Sequence, residues 1–424
     1  MKQHFLIHWL KDAWDISTSE LKRIFSDGGV ILIFFVAGMF YPLLYNIVYI
    51  NGILEKTPLA VVDMADCSAS RRYLREVDAT REARIAFHCT SMDEAEKLMQ
   101  ERKVKGILYF PADFGDNLAA MRQATVGVYC DMSAFLYYKN ALMAVNHVML
   151  AEHRQIQIER YSSAGFSEQE AAQLVQGIPY GENNPYNPAF SYSIFLVSAI
   201  LLIIVQQTLF YGMSLLVGTM HEKNHHYSSL PEHLQGRGVG RVIFGRGAAY
   251  WLVYMGIAIY VAFIVPAIFG MPQRGDFWNI LLLLVIFITD CVFFSMVWSS
   301  FITRRESVFM LFLFLSPICL FLTGTSWPAF AIPGFWKVFS YIFPSTFGVQ
   351  AYMNMSVAGG GLNTALGPLN HMIIQTNVYL ALTFMAYYIE HWISLHKDRL
   401  RSRRDQLDAR LGIDREKMRS IIEG

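Results

Sequence analysis

Six apolar runs, at 30–50, 192–217, 248–269, 278–300, 307–323 and 372–392, constrain this chain more than any other feature. Each approaches the roughly 20 helical residues needed to cross about 30 Å of hydrocarbon. Backbone groups in lipid must be satisfied within the spanning segment, so helices are the expected form. Composition agrees, because 54% of the 424 residues are hydrophobic and 16% charged, too apolar a balance for an ordinary soluble protein of this length. The fifth run is the shortest. Residues 1–29 place Lys2, Lys11, Lys22 and Arg23 ahead of the first run, and no small-residue cleavage site follows it. They are read as an amphipathic cytoplasmic helix leading into an uncleaved signal anchor. The expected fold is an α-helical polytopic membrane protein with six transmembrane helices.

Orientation follows from Lys and Arg in the short loops. The 219–247 loop carries Lys223, Arg237, Arg241 and Arg246, the next turn on that side carries Arg304 and Arg305, and the tail at 394–424 carries nine basic residues. The alternate loops carry one each, Arg274 and Lys337. Both termini are therefore expected in the cytoplasm, and 51–190 outside.

Residues 51–190 switch to the chemistry of a soluble domain inserted between the first and second spans. "PLAVVD", "ARIAFHC", "VKGILYFP" and "ATVGVYCD" read as strands, and "SASRRYLREV", "SMDEAEKLMQERK" and "ADFGDNLAAM" as helices between them. A Ser91/Glu94 capping box opens the second helix. This alternation predicts a small extracytoplasmic α/β domain, followed by a long helix over 135–161 and a shorter one over 167–176. The domain holds Cys67, Cys89 and Cys130, for which one bridge plus a free thiol and three free thiols are both compatible with the spacing.

Four features invite functional readings. HEKNH at 221–225 fits HExxH, in which two histidines on one helical face bind zinc beside a glutamate base. His221, Glu222 and His225 have that spacing, but His226 points about 100° away and Glu232 and His233 lie beyond Pro231, which leaves a third ligand unassigned. The run "GRGVGRVIFGRG" follows no strand and lacks GxGxxG spacing, and no GxxxxGK[ST] occurs, so the chain has no P-loop of its own. Asp290, mid-way along the fourth run, costs on the order of 3 kcal/mol in lipid and should face protein or a water-filled cavity, either as a substrate or proton site or bonded to Gln206, Gln207 or a second copy. Finally, 324–346 is aromatic and broken by Pro328, Pro333 and Pro344. Those prolines forbid one continuous span, so a re-entrant or interfacial helix pair on the outer side is expected, presenting Trp327 and Phe330.

The order of these parts resembles the ABC-2 type permeases, the transmembrane subunits of type V ABC exporters, in the branch with a large external domain after the first span. "SELKRIFSDGG" is similar to that family's pre-membrane element, carried here by Glu20, Leu21, Arg23 and Asp27. "VKGILYFPADF" resembles its external turn through Gly106, Pro111, Asp113 and Phe114, and "GTSWPAFAIPGFWKVFSYIFPST" resembles the segment between its last two spans. After the second span, Glu222, Lys223, Leu230, Pro231, Gly245 and Arg246 occupy places comparable to its cytoplasmic coupling stretch, with His221 where an arginine is usual.

The resemblance implies an exporter permease of the bacterial inner membrane that couples to a separate ABC ATPase. ATP and magnesium would bind that partner and no cofactor this chain. Glu20, Arg23, Asp27, Glu222, Lys223, Leu230 and Pro231 would transmit coupling, and Trp327, Pro328, Phe330, Pro333 and Pro344 would form an outer gate. A second permease chain, identical or related, completes the expected assembly within membrane lipid. The external domain is large enough to meet a periplasmic adaptor, and no nucleic-acid partner is expected. Aromatic spans with few charges point to a hydrophobic or amphipathic substrate. The competing readings are a zinc protease built on HEKNH and a membrane scaffold acting through 51–190.

Overall fold

The computed structural model describes residues 2–50, 52–133, 135–175, 186–187, 191, 193–223 and 238–411. Its contacts divide the chain into two compact units, Met1–Ile50 with Ser191–Gly424, and Asn51–Phe190.

The first unit is helical. An amphipathic helix α1 (Lys2–Ser26) ends at Asp27, whose carboxylate accepts the Gly29 and Val30 amides and caps the next helix, α2 (Gly28–Val48). The side chain thereby satisfies amides that a helix start leaves unpaired. Four further helices in this unit, among the described residues, are long and apolar enough to cross a membrane: Ser198–Lys223, Val239–Ile268, Phe277–Ser299 and Leu362–Ile393, the last being part of Leu362–Leu411. Ser307–Leu322, the fifth expected span, forms an apolar helix of 16 residues, shorter than the roughly 20 that a straight crossing needs. Two helices start earlier than hydropathy predicts, at Val239 rather than 248 and at Leu362 rather than 372. As a result, 219–223 and 239–247 of the expected 219–247 loop are helix.

In its core, Phe34 inserts edge-on to Tyr254, with ring centroids 4.8 Å apart, and against Gly212. A Cβ at Gly212 would come within 1.9 Å of the Phe34 ring, so only glycine lets the first two spans approach here.

The prolines of 324–346 each stand at a helix start, where a missing N–H costs nothing. Pro328 precedes a short turn (Ala329–Ala331), Pro333 precedes helix Gly334–Ser340, and Pro344 opens helix Pro344–Tyr352. The first two pieces expose Trp327, Phe330, Phe335 and Trp336, with Phe330 90% exposed. Pro344–Tyr352, by contrast, is buried against three of the long helices.

The second unit contains β1 (Thr57–Asp63), α3 (Ser68–Ala79), β2 (Ala83–Cys89), α4 (Met92–Gln100), β3 (Gly106–Phe110), α5 (Phe114–Ala119), β4 (Gly127–Cys130), α6 (Phe135–Ser163) and α7 (Glu168–Val175). The sheet order is β2-β1-β3-β4, with β1 parallel to both neighbours and β4 antiparallel to β3. Alternation along β1 buries Leu59 and Val61 against α3 and α6, and Ala60 and Val62 against α4. The Ser91 hydroxyl accepts the Glu94 amide as predicted, but Glu94 reaches back to the Thr90 amide at 2.9 Å, one residue beyond the expected partner. The three cysteines of this unit are free thiols.

Candidate functional site

The ends of the long helices near α1 carry most of the buried charge in the first unit. In the order α8 (Ser198–Lys223), α9 (Val239–Ile268), α10 (Phe277–Ser299), α11 (Ser307–Leu322), α12 (Gly334–Ser340), α13 (Pro344–Tyr352) and α14 (Leu362–Leu411), that end brings together the close of α8, the start of α9, the α10–α11 turn and the later part of α14.

Helix α1 lies along the start of α9, with Ile16 and Ile24 fully buried beneath it, each worth about 1.5–3 kcal/mol of transfer free energy. The approach is close because a Cβ at Gly245 would meet the Ala13 carbonyl oxygen at 2.7 Å and Ile16 at 2.9 Å. Across this contact Glu20 and Arg246, both 0% exposed, form an ion pair at 3.2 Å. The Tyr250 hydroxyl donates to Glu20 at 2.8 Å, Arg23 pairs with the other carboxylate oxygen at 2.6 Å, and Arg246 donates to the Tyr387 hydroxyl of α14 at 2.8 Å. Burial alone would raise the Glu20 pKa. The charges of Arg246 and Arg23, with the Tyr250 hydrogen bond, outweigh it and hold the carboxyl below its ordinary value. Asp12 and Arg241 add a second pair between the same helices at 2.5 Å.

A second cluster forms on the α10–α11 turn. Arg305 donates to both Asp27 oxygens, at 2.8 and 2.9 Å, and to the Thr219 hydroxyl at 3.0 Å. Burial pushes the Asp27 pKa up, but Arg305 and the two capping amides bring it below its ordinary value. The Arg305 amide donates to Glu222 at 2.8 Å, and His221, buried, donates Nδ1–H to the Ile302 carbonyl at 2.6 Å while its Nε2 faces Glu390 at 3.9 Å. The first two residues of HEKNH thus tie α8 to the α10–α11 turn. His225, Leu230 and Pro231 lie outside the described residues, and among the described residues no three His, Cys, Asp or Glu side chains gather as a metal site.

Towards the opposite end, Gln206 and Gln207 do not reach Asp290, in contrast to one sequence expectation. Gln206 accepts the Ser345 amide at 2.5 Å, at the first turn of α13, and Gln207 donates to the Cys319 sulfur of α11 at 2.8 Å. Asp290 is fully buried, and neither of its oxygens makes a hydrogen bond of good geometry. Thr376 beside it donates to the Met372 carbonyl instead. Gln375 and Tyr379 of α14 donate to the Tyr341 and Ile342 carbonyls, so α13 is bracketed by α8 and α14.

An apolar cleft of 640 Å³ opens between α2, α8 and α11. It is lined by Tyr41, Tyr45, Tyr49, Ile204, Thr208 and Pro317, and Gln207 presents there a buried amide oxygen with no hydrogen-bond partner. Sequence reasoning misses this cleft, since its walls come from three separate runs. It also counts Arg246 as a loop charge. An arginine within "GRVIFGRGAAYW", facing a carboxylate on an amphipathic helix, is the available signal.

A family model described as an ABC-2 family transporter protein matches residues 29–385. The chain belongs to that family. No curated protein and no solved structure matches it. The ABC-2 chain is thus a multi-pass membrane permease, a transporter component rather than an enzyme, of a family that normally works with an ABC ATPase.

Proposed function

We propose that this permease is the membrane half of an ATP-driven exporter for hydrophobic or amphipathic molecules. Two such chains, identical or related, would act with two ATPase subunits at the α1 end of the spans. The α1 end would be cytoplasmic, with both termini there, and 51–190 would face outward from an inner membrane crossed six times. The short α11 could cross by tilting within a locally thinned bilayer.

The observation that carries the reading is the ion pair Glu20–Arg246, sealed between α1 and α9. A buried pair of this kind resists separation, because losing either partner strands a charge. Force applied to α1 would therefore pass into α9, and through Tyr387 into α14. Glu20 is buried and transmits rather than docks. Lys223, exposed at the close of α8, would touch the ATPase. Arg305 would carry the same displacement from Asp27 at the start of α2 to the α10–α11 turn. Rotation of packed helices about such fixed joints would open one end of a bundle as the other closes.

The tyrosine-lined cleft supports the substrate class, with an apolar body against Tyr41 and Tyr45 and a hydrogen-bond donor against Gln207. The exposed aromatics at 327–336 would line the exit, and α13, held by Gln206, would be its moving part.

Cysteine accessibility in whole cells tests the orientation on which ATP coupling depends. With native thiols removed, cysteines replacing Lys11, Lys223 and Arg304 should react with a membrane-impermeant maleimide only after permeabilisation, and those replacing Arg274 and Lys337 without it. Labelling at position 223 in intact cells would put the docking end on the wrong side and end the reading.

A further inference from the structure

The 51–190 unit carries a crevice that the permease role does not use. Its sheet order places β1 between β2 and β3, and the chain leaves β1 through α3 to one side and returns through α4 to the other. In open α/β sheets, ligands bind at such a reversal, outside the carboxyl ends of the strands. A cleft of 840 Å³ lies there, walled by the starts of the segments that follow β1 (Cys67, Arg72) and β3 (Gly115, Leu118), and closed by α6 (Ile156, Arg160).

The charges in the crevice are unevenly satisfied. Arg72 is clamped by Glu152 through bonds of 2.8 and 2.5 Å, so its charge is neutralised locally. Arg160 donates to the Leu118 carbonyl at 3.2 Å, and among the described residues no carboxylate pairs with it. Glu159, also on the lining, accepts from Gln155 at 3.0 Å and keeps the crevice from being strongly positive. Leu118, Ile156 and Met121 supply apolar wall. A single guanidinium with free donors, beside an apolar wall and one acidic neighbour, matches a monoanion on an apolar body better than a dianion.

We propose that the crevice between α3, α5 and α6 binds a small organic carboxylate, with the acidic group on Arg160 and the apolar part on Leu118 and Ile156. The site is independent of the export pathway, and its failure would leave the permease reading untouched.

Cys67 lines the crevice and reports on its occupancy. The experiment alkylates the full-length protein in lipid nanodiscs with iodoacetamide and follows the Cys67 peptide by mass spectrometry. Benzoate should slow that reaction saturably, phenyl phosphate less so, and benzamide not at all. Arg160→Gln should weaken protection about tenfold, the size of one charge-assisted hydrogen bond. Arg160→Lys should keep part of it, and Leu118→Trp should abolish it by filling the wall. Unaltered melting of the variants establishes that the unit is folded. Should Arg160→Gln fail to fold, Leu118→Trp and the benzoate–benzamide comparison decide alone. Equal protection by benzoate and benzamide, no protection by either, or benzoate protection undiminished in Arg160→Gln or Leu118→Trp would overturn the proposal.

Discussion

Replacing Glu20 by leucine would remove the carboxylate that Arg23 and the Arg246 guanidinium, at 0% exposure, both contact, and would leave the Tyr250 hydroxyl without its acceptor. Breaking a buried ion pair from one side costs about 3–5 kcal/mol, whereas replacing both members with apolar residues of similar size is often neutral or stabilising. An exposed pair would cost under about 1 kcal/mol, so the two cases are well separated. Because about 1.4 kcal/mol is tenfold, Glu20→Leu should lower the folded-to-unfolded ratio by roughly two to three and a half orders of magnitude. The double variant Glu20→Leu/Arg246→Met should recover most of this loss. Reversible unfolding by SDS in mixed micelles, run as a double-mutant cycle, measures the coupling directly. A cost below about 1 kcal/mol for Glu20→Leu, or additive effects in the double variant, would refute the idea that this pair joins α1 to the spans.

Further expectations follow from the same geometry. Asp27→Asn should cost about 1–3 kcal/mol, since it weakens both the helix cap and the two-point contact with Arg305, and Arg305→Lys should cost a similar amount because a lysine cannot bridge both oxygens; the same unfolding titration measures both. The Asp27 carboxyl lies below its ordinary 3.8, so its contribution is fully present above that pH and is lost as pH falls through the depressed value. The stability gap between wild type and Asp27→Asn should therefore hold from neutral pH down to about 4 and then close, and a gap closing above pH 5 would contradict the assignment. Gly245→Leu, whose Cβ would meet the Ala13 carbonyl, should lift α1 and raise deuterium exchange across 9–20 at least severalfold. Gln206→Leu should strand the Ser345 amide at about 1–3 kcal/mol and increase exchange at 344–348 while leaving α1 unchanged.

The five long apolar helices are legible because an uninterrupted apolar run of about 20 residues matches the thickness of a bilayer and little else. Their starts are less so. Arg241 and Arg246 read as loop charges, yet each sits inside α9 with a carboxylate from α1 beside it, and a sequence window does not see that partner. The sixth apolar run starts at 372, yet α14 begins at Leu362 and runs through Gly367 and Pro368. The small α/β unit reads closely, since strand alternation and helix caps are local signals. What stays hidden is non-local: the pairing of Gln206 with Ser345 rather than Asp290, the tyrosine-lined cleft, and the crevice around Arg160. For HEKNH the local pattern suggests chemistry, while the contacts that the fold gives His221 and Glu222, to the backbone at Ile302 and Arg305, come from 81 and 83 positions further along the chain.

The most direct test of the coupling account is the composition of the complex purified through a tag on this chain in mild detergent, with protein stoichiometry and zinc measured on one sample. The account predicts a near-stoichiometric ABC ATPase and no zinc, with the ATPase lost in Lys223→Glu while the chain stays folded. About one zinc per chain and no ATPase would contradict it and return HEKNH to the centre of the problem.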